Sequence, residues 1–498
     1  MGEMSLRLAD GTGLILPDSL ESITTYVVLE QEAWFEKESA LLARWLRPGM
    51  TTVDIGANLG IYSLPMARLV APGGQVFSYE PGSEPRALLE RSRALNQANN
   101  LHVIAAALSD GRREGHLVLG ASSEMNSLAG SGPGESVQVT CLDYEDSARG
   151  WAAVDFVKID AEGEEERIFG GGRSFFERHS PLIMFEVKTE VGNNEILRTS
   201  FPARDYKIYR LLAGAPVLVP DEPGRPMDGF EINLFAAKPD RAAALAREGL
   251  LVEVLPSWTP DEMARRRALE ALRAQSFARD FAAVFGNEID SSYRDGLAGY
   301  ATWRLPEVPM TERCAALEFA CGELLGLCQR AATLARLSTL ARAMWDAGHR
   351  VVCVHTLKLL CDLLRRGEGR VSEPFWPANP RFDALAPGDK WSEWFVVSAL
   401  EQFERAASFS SRFGSTSGVD LDWLSRQSFV SSEIERRRVL QRARAGQPME
   451  VPERLCLAAT DHVNAESWRA GLVPNTWVRE HPASDGGPGR SSANIKRD

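Results

Sequence analysis

The stretch "TTVDIGANLGIYSLPMARLV", Thr51 to Val70, decides the fold. β-compatible residues run into Asp54, Gly56 and Gly60 follow four positions apart, and an apolar run at helical spacing comes next. That order predicts a strand feeding a helix through a tight loop. Free N–H groups at a helix start favour a negatively charged ligand group, and glycines let it come close to the backbone. The dinucleotide fingerprint G-x-G-x-x-G needs a glycine two positions after the first. Asn58 stands there, which disfavours a nicotinamide or flavin cofactor.

Outward from this stretch, short β-rich runs alternate with helical runs as far as Lys238. Strands are expected at "TTVDIG", "GQVFSYE", "LHVIAAA", "VDFVKID" and "PLIMFEV", with helices over roughly 61–70, 84–98 and 164–178. The region 113–142 reads as an inserted hairpin around a Gly/Ser-rich loop, and "DYKIYRLL" with "FEINLFAA" as a closing antiparallel pair. Alternation of this kind builds a parallel sheet with crossover helices. After Lys238 helical periodicity takes over, starting at "SWTPDEMARRRALEALRAQ", where Thr259 is the expected N-cap and Pro260 the first helical residue. The reading is therefore an α/β domain over 1–240, an all-α domain over 241–480, and a polar disordered tail over 481–498.

The whole chain bounds the partners. Its 498 residues suit two or three domains. A net charge of -12 disfavours a broad phosphate-binding surface, so nucleic acid is not expected as the main partner. The start lacks the pattern of a signal peptide and no window has the apolar length of a membrane span, so a soluble cytoplasmic protein is expected. Seven cysteines in mostly helical apolar patterns suit reduced thiols. Arg265–Arg267 and Arg436–Arg438 read as solvated helix faces. The aromatic stretch 372–395, with Phe375, Trp376, Phe382, Trp391 and Trp394, reads as a loop packed on its own domain or, second, as a stacking surface for sugar rings.

The second strand, "VFSYEP", ends in Glu80, whose carboxylate can receive two ribose hydroxyls. Asp54 can attract an ammonium while the loop N–H groups take a carboxylate. A ligand with an amino-acid end and a nucleoside end is S-adenosylmethionine. Asp160 ends "DFVKID" and Glu186 lies near the end of "PLIMFEV", with one crossover helix between, so their strands should be parallel neighbours about 4.8 Å apart. Glu162 reaches the same edge from the loop. These three carboxylates are the expected catalytic groups, as a general base toward a hydroxyl or as holders of a divalent cation that acidifies it. No histidine presents itself as the base.

With "VDIGANLGIYSL", "FSYEP", "AALSD", "DFVKIDAEGEEERIFGG", "PLIMFEV" and "NLFAAKP", the sequence from about Ile23 to Lys238 resembles the FkbM-type S-adenosylmethionine-dependent methyltransferases. The resemblance implies a seven-strand Rossmann-like sheet and O-methyl transfer to a small molecule or saccharide. Carried onto this chain, it places Asp54, Gly56, Asn58 and Gly60 around the methionine part of the cofactor and Glu80 at the ribose. Ser109 and Asp110 fall near the adenine, and Asn126 over the strand ends near cofactor or substrate. It also implies that the segment around Tyr26 and Glu30 covers the pocket. It implies nothing about Arg241 onward. The alternative is a non-catalytic S-adenosylmethionine-binding protein whose helical half docks a partner.

Overall fold

The computed structural model describes residues 2–470 apart from 121–122, 124–125, 129–132, 190–191, 194, 223, 415–416 and 448–449, so the expected tail lies outside the described residues. The chain opens with a hairpin that the sequence reading left out, β1 (Glu3–Arg7) and β2 (Gly13–Pro17), followed by α1 (Ile23–Gln31) and α2 (Glu38–Trp45). The stretch 51–70 then forms β3 (Thr51–Ile55) and α3 (Ser63–Val70). β4 (Gln75–Tyr79), α4 (Ser83–Leu95) and β5 (Leu101–Ile104) come next. The inserted hairpin is present as β7 (Arg113–Val118) and β8 (Gly134–Thr140), preceded by β6 (Ala107–Leu108), which pairs with β8. After α5 (Leu142–Arg149) and β9 (Phe156–Ile159), the expected single helix over 164–178 is two, α6 (Glu165–Gly170) and α7 (Arg173–His179), broken at adjacent glycines. The sheet continues with β10 (Leu182–Glu186), a short ribbon of β11 (Lys188–Thr189) and β12 (Gly192–Asn193), α8 (Glu195–Ser200), β13 (Lys207–Leu212), β14 (Val217–Pro220) and β15 (Asn233–Ala237).

The central sheet has the order β14-β13-β15-β10-β9-β3-β4-β5. β5, β4, β3, β9 and β10 pair in parallel, and β15, β13 and β14 close the far side antiparallel. β14 is one strand more than the seven expected: "PVLVP" lies in what was read as loop between the closing pair, and Val217, Leu218 and Val219 are buried there. Near-continuous apolar runs in β3, β9 and β10 explain why these strands sit inside the sheet, since helices cover both their faces. Their carboxyl ends all lie on one edge, and that edge carries the site.

Beyond α9 (Pro239–Arg247) the described residues are mostly helical: α10 (Glu262–Arg273), α11 (Ser291–Arg304), α12 (Met310–Arg330), α13 (Leu334–Asp346), α14 (Arg350–Arg365), α15 (Trp391–Ala406), α16 (Leu421–Leu424), α17 (Ser432–Arg444) and α18 (Ala465–Arg469). α10 is capped two residues later than expected, by Asp261, whose carboxylate accepts from the Ala264 N–H at 2.7 Å. No described helix is long and apolar enough to cross a membrane. The described cysteines are all free thiols. Of the aromatic stretch, Phe375, Trp376, Phe382 and Trp394 are buried in the helical core beside Phe277 and Phe281, which leaves only Trp391 exposed; packing, not a sugar platform, accounts for it.

The halves share buried surface. One core joins Leu6, Leu29, Leu245 and Leu250 with Val439, Leu440, Leu455 and Trp468. Across the same seam, Arg436 and Arg437 are buried, contrary to the solvated face expected of them. Arg437 meets Glu30 at 3.3 Å, Glu433 at 3.2 Å and Glu404 at 3.5 Å, and Arg436 meets Glu32 at 3.5 Å. Apart from Glu433 on α17 itself, their partners come from other elements of the chain, so the run of arginines looked solvated when read locally. Replacing Arg437 by Ala takes the shared cation from Glu30, Glu404 and Glu433, of which Glu433 keeps Arg405 at 3.3 Å, and should cost about 3–5 kcal/mol of unfolding free energy in urea. An unchanged urea midpoint would show that the seam does not hold the halves together.

Candidate functional site

A cavity of about 290 Å³ opens at the carboxyl edge of the parallel strands. Of the sequence-selected residues, Asp54, Gly56, Asn58, Glu80, Asn126, Asp160, Glu162 and Glu186 line it. Gly60, Ser109 and Asp110 do not. Gly60 serves packing: a Cβ there would stand 2.3 Å from Leu89. The Ser109 hydroxyl donates to Glu164, and Asp110 pairs with Arg113 at 2.7 Å. Their neighbours Ala107 and Leu108 reach the cavity instead.

The loop after β3 works differently from its sequence reading. Gly56 has φ +77°, and a Cβ on it would fall 1.8 Å from the Asp160 carbonyl oxygen, so glycine is needed for the approach of two strand ends. The N–H groups of Gly56 and Ala57 donate to the Tyr79 carbonyl at 3.1 Å, and that of Asn58 to Glu80 Oε2 at 2.8 Å. These donors, expected to hold a ligand carboxylate, are already used within the fold. What the loop offers is acceptors. Asp54 is 1% exposed; its Oδ2 accepts from Ser63, while Oδ1 has no hydrogen bond among the described residues, and Asn58 Oδ1 has none either. Asn58 is held at φ 45°, a left-handed conformation that asparagine tolerates better than most residues. Burial raises the Asp54 carboxyl above its ordinary range, against the pull of Lys158. Both Glu80 oxygens accept backbone N–H groups, from Asn58 and from Gly82 at 2.7 Å, and each keeps a further lone pair. Burial pushes Glu80 up to about 7 despite those bonds.

Opposite the loop, Asp160, Glu162 and Glu186 each bring a carboxylate oxygen within 4.8 Å of the others. β9 and β10 are parallel neighbours with Ile159 opposite Phe185, which sets Asp160 beside Glu186. Glu162 has φ 48°, a strained conformation for a residue other than glycine. Glu165, not Glu162, caps the turn, accepting from the Ala161 and Gly163 N–H groups at 3.1 Å. Glu186 Oε2 has no hydrogen bond among the described residues. Burial, then repulsion from Asp160 and Glu162, pushes the Glu186 carboxyl up to about 10.

Lys158 is the residue that sequence reading missed. It is 5% exposed, its Nζ lies 2.6 Å from Asp160 Oδ2, and it sits 5.2 Å from the Tyr62 ring centroid. Burial would lower its pKa, but Asp160, Asp54 and Glu36 outweigh burial and raise it. The signal was a lysine inside an apolar parallel strand, two residues before Asp160 and therefore on the same face.

The remaining wall comes from α1–α2 and from the helical half. Ile23, Thr24, Trp34, Phe35 and Glu36 line the cavity, with Tyr62 and Asn233 donating to Glu36. Tyr26 and Glu30, expected at the pocket, instead face Ser411 and Arg437 in the inter-half seam. Phe409 and Phe413 reach the cavity from beyond α15, with Phe409 5.1 Å from Phe35 by ring centroids. No local pattern in the sequence could have placed them there.

Residues 54–208 match the family model described as Methyltransferase FkbM domain. Among curated proteins, 31-O-demethyl-FK506 methyltransferase FkbM of Streptomyces tacrolimicus is 28% identical over 159 residues, which are 25% of this chain and 60% of that protein. The chain thus spans less than two thirds of that relative. Of solved structures, methyltransferase FkbM from Methylobacillus flagellatus KT aligns at 17% identity and TM-score 0.27, over 43% of this chain and 58% of that one. A SAM-dependent O-methyltransferase from Thermotoga maritima aligns at 17% identity and TM-score 0.25, over 47% of this chain and 77% of that one. The likeness of this chain to the FkbM methyltransferases is carried by residues 54–208, which match that family's methyltransferase domain.

Proposed function

We propose that the protein is an S-adenosylmethionine-dependent O-methyltransferase acting on a hydroxyl of a small molecule. The observation that carries this reading is the pairing, in one cavity, of orphaned acceptors at the β3 loop with a carboxylate cluster across from them. Asp54 Oδ1 and Asn58 Oδ1 suit an ammonium, and the free lone pairs of Glu80 suit a ribose diol. Ala107 and Leu108 supply an apolar wall where Ser109 and Asp110 were expected. When bound, S-adenosylmethionine supplies a methyl group activated on a sulfonium.

The chain's own part is to place the acceptor and take its proton. The Asp160 side chain is 36% exposed, toward the cavity, and is the general base of this reading. Lys158 holds its carboxylate in place. Glu186, kept protonated at neutral pH, donates a hydrogen bond to the acceptor oxygen, and Glu162 completes the polar floor. Phe35, Phe409 and Phe413 keep water from the reacting atoms, and orientation in that closed space provides much of the rate. The same three carboxylates are close enough to hold a divalent cation. Turnover that survives chelation fits the base reading; loss restored by added magnesium selects the cation.

Three outcomes test this reading. Asp54→Asn and Glu80→Gln should each weaken S-adenosylmethionine binding in calorimetry at least about tenfold, the scale of a lost charge-assisted contact. Unaltered affinity in both would put the cofactor elsewhere. Asp160→Asn should lower the rate of S-adenosylhomocysteine formation about 10²-fold or more at saturating cofactor, with cofactor affinity little changed. Full activity there would remove Asp160 from the chemistry, whereas a parent that binds S-adenosylmethionine but forms no S-adenosylhomocysteine with any hydroxyl acceptor would favour the non-catalytic alternative. Finally, a carboxyl whose folded pKa is about 10 makes the fold less stable as pH rises from the ordinary carboxyl range toward that value, because only the unfolded chain ionises. Glu186→Gln should thus be more stable than the parent by roughly 1–3 kcal/mol at pH 7, with the gain shrinking toward pH 4 in thermal melts. A variant no more stable at pH 7 than at pH 4 would show that Glu186 is ionised in the folded protein.

A further inference from the structure

Beside the first cavity lies a second of about 110 Å³, and the two share Phe35, Glu36, Ile232 and Phe409 as a common wall. It sits where the antiparallel side of the sheet meets α13 and α14. Arg225, paired with Asp221 and Glu231, lines it, and three further cationic side chains enter it from three elements: Lys37 before α2, Arg210 on β13 and Arg350 at the start of α14. Among the described residues none of the three pairs with a carboxylate. Lys37 Nζ lies 3.8 Å from the Trp345 ring centroid. Arg210 donates to the Ala347 carbonyl at 3.1 Å. Arg350 spends Nε and Nη2 on the carbonyls of Ala406, Arg405 and Ser408, keeps Nη1 without a hydrogen bond, and lies 4.2 Å from the Phe230 ring and 4.8 Å from the Phe409 ring.

Two of the acids at this cavity are engaged by other groups. Glu231 is taken up by Arg225 at 2.7 Å, and Asp228 accepts from the N–H groups of Val351 and Phe230 at 2.9 Å. Burial raises Glu36, and burial with the charge of Glu36 beside it pushes Glu38 up to about 8. Lys37 and Arg350 stand at helix N-termini, where the macrodipole disfavours positive charge. Burial and the facing Arg405 and Arg350 pull Lys37 down to about 7. Stability alone gives no reason to gather three cations here, whereas an anion among them would.

We propose that the second cavity binds a phosphoryl group of the methyl acceptor, making the substrate class a hydroxylated phosphate ester whose hydroxyl reaches Asp160 through the shared wall. Three cations approaching from separate elements suit a tetrahedral phosphoryl group; a planar carboxylate would be met by one bidentate arginine. The aromatic rings beside the cations suit the carbon skeleton of such an ester. That the anion belongs to the acceptor rests on the methyltransferase reading, while anion binding itself does not.

The test is calorimetry on the full chain with inorganic pyrophosphate and, separately, with S-adenosylmethionine. The parent should bind pyrophosphate, and Lys37→Met and Arg210→Met should each weaken it at least about tenfold while leaving cofactor affinity unaltered. The Lys37 side chain makes no hydrogen bond among the described residues, so its variant should fold even where Arg350→Met does not. Pyrophosphate affinity equal in parent and both variants, no pyrophosphate binding at millimolar concentration, or preference for acetate and citrate over phosphate and pyrophosphate would each overturn the proposal. Failure of S-adenosylmethionine to bind would overturn the methyltransferase reading and leave the anion result standing on its own.

Discussion

The Lys158 ammonium, buried under the carboxyl edge of the sheet, is the interaction on which the site depends. It lies against Asp160 and within the field of Asp54 and Glu36, so one positive charge serves carboxylates from β3, from β9 and from the segment before α2. Without it these acids would repel one another across a cavity poor in water. With it, they can line a single space. The charge is still too little for all of them: Glu186 resolves the excess by keeping its proton, which turns one member of the cluster into a donor. A site with one carboxyl able to accept and another able to donate follows from that shortage.

The second constraint is the seam between the halves. Arg436 and Arg437 tie α17 to Glu30 and Glu32 at the end of α1, and the segment after α1 carries Trp34, Phe35 and Glu36 into the cavity. Phe409 and Phe413 complete the same wall from the helical half. The C-terminal half is therefore part of the cavity's enclosure rather than an appendage, and it contributes to the walls of both cavities.

The sequence disclosed what depends on local pattern. The strand-loop-helix at 51–70, the parallel order around it, the adjacency of Asp160 and Glu186 and the helical second half follow from periodicity and from the handedness of crossovers. The β1–β2 hairpin was legible in principle, since Asp10-Gly11 joins two short apolar runs, while β14, four residues between Pro216 and Asp221, was too short to stand out from the Pro/Gly-rich connection around it. Burial of Arg437 and the placing of Phe409 were invisible for another reason: Glu30 and Phe35, against which they pack, lie hundreds of residues away, and a run of arginines or an isolated phenylalanine carries no trace of them. Lys158 was legible in principle, since a lysine within "DFVKID" must be buried if the strand is central, yet attention went to the acids around it. The loop N–H groups were misjudged because only the folded chain reveals that Tyr79 and Glu80 already accept from them.

The most direct measurement of this account is a crystal structure of the full chain with S-adenosylhomocysteine. The account predicts the amino end of that ligand at Asp54 Oδ1, the ribose hydroxyls on Glu80, and the sulfur facing the space between Asp160 and Phe409. A ligand bound outside the cavity, or one whose sulfur points away from the carboxylate cluster, would contradict it.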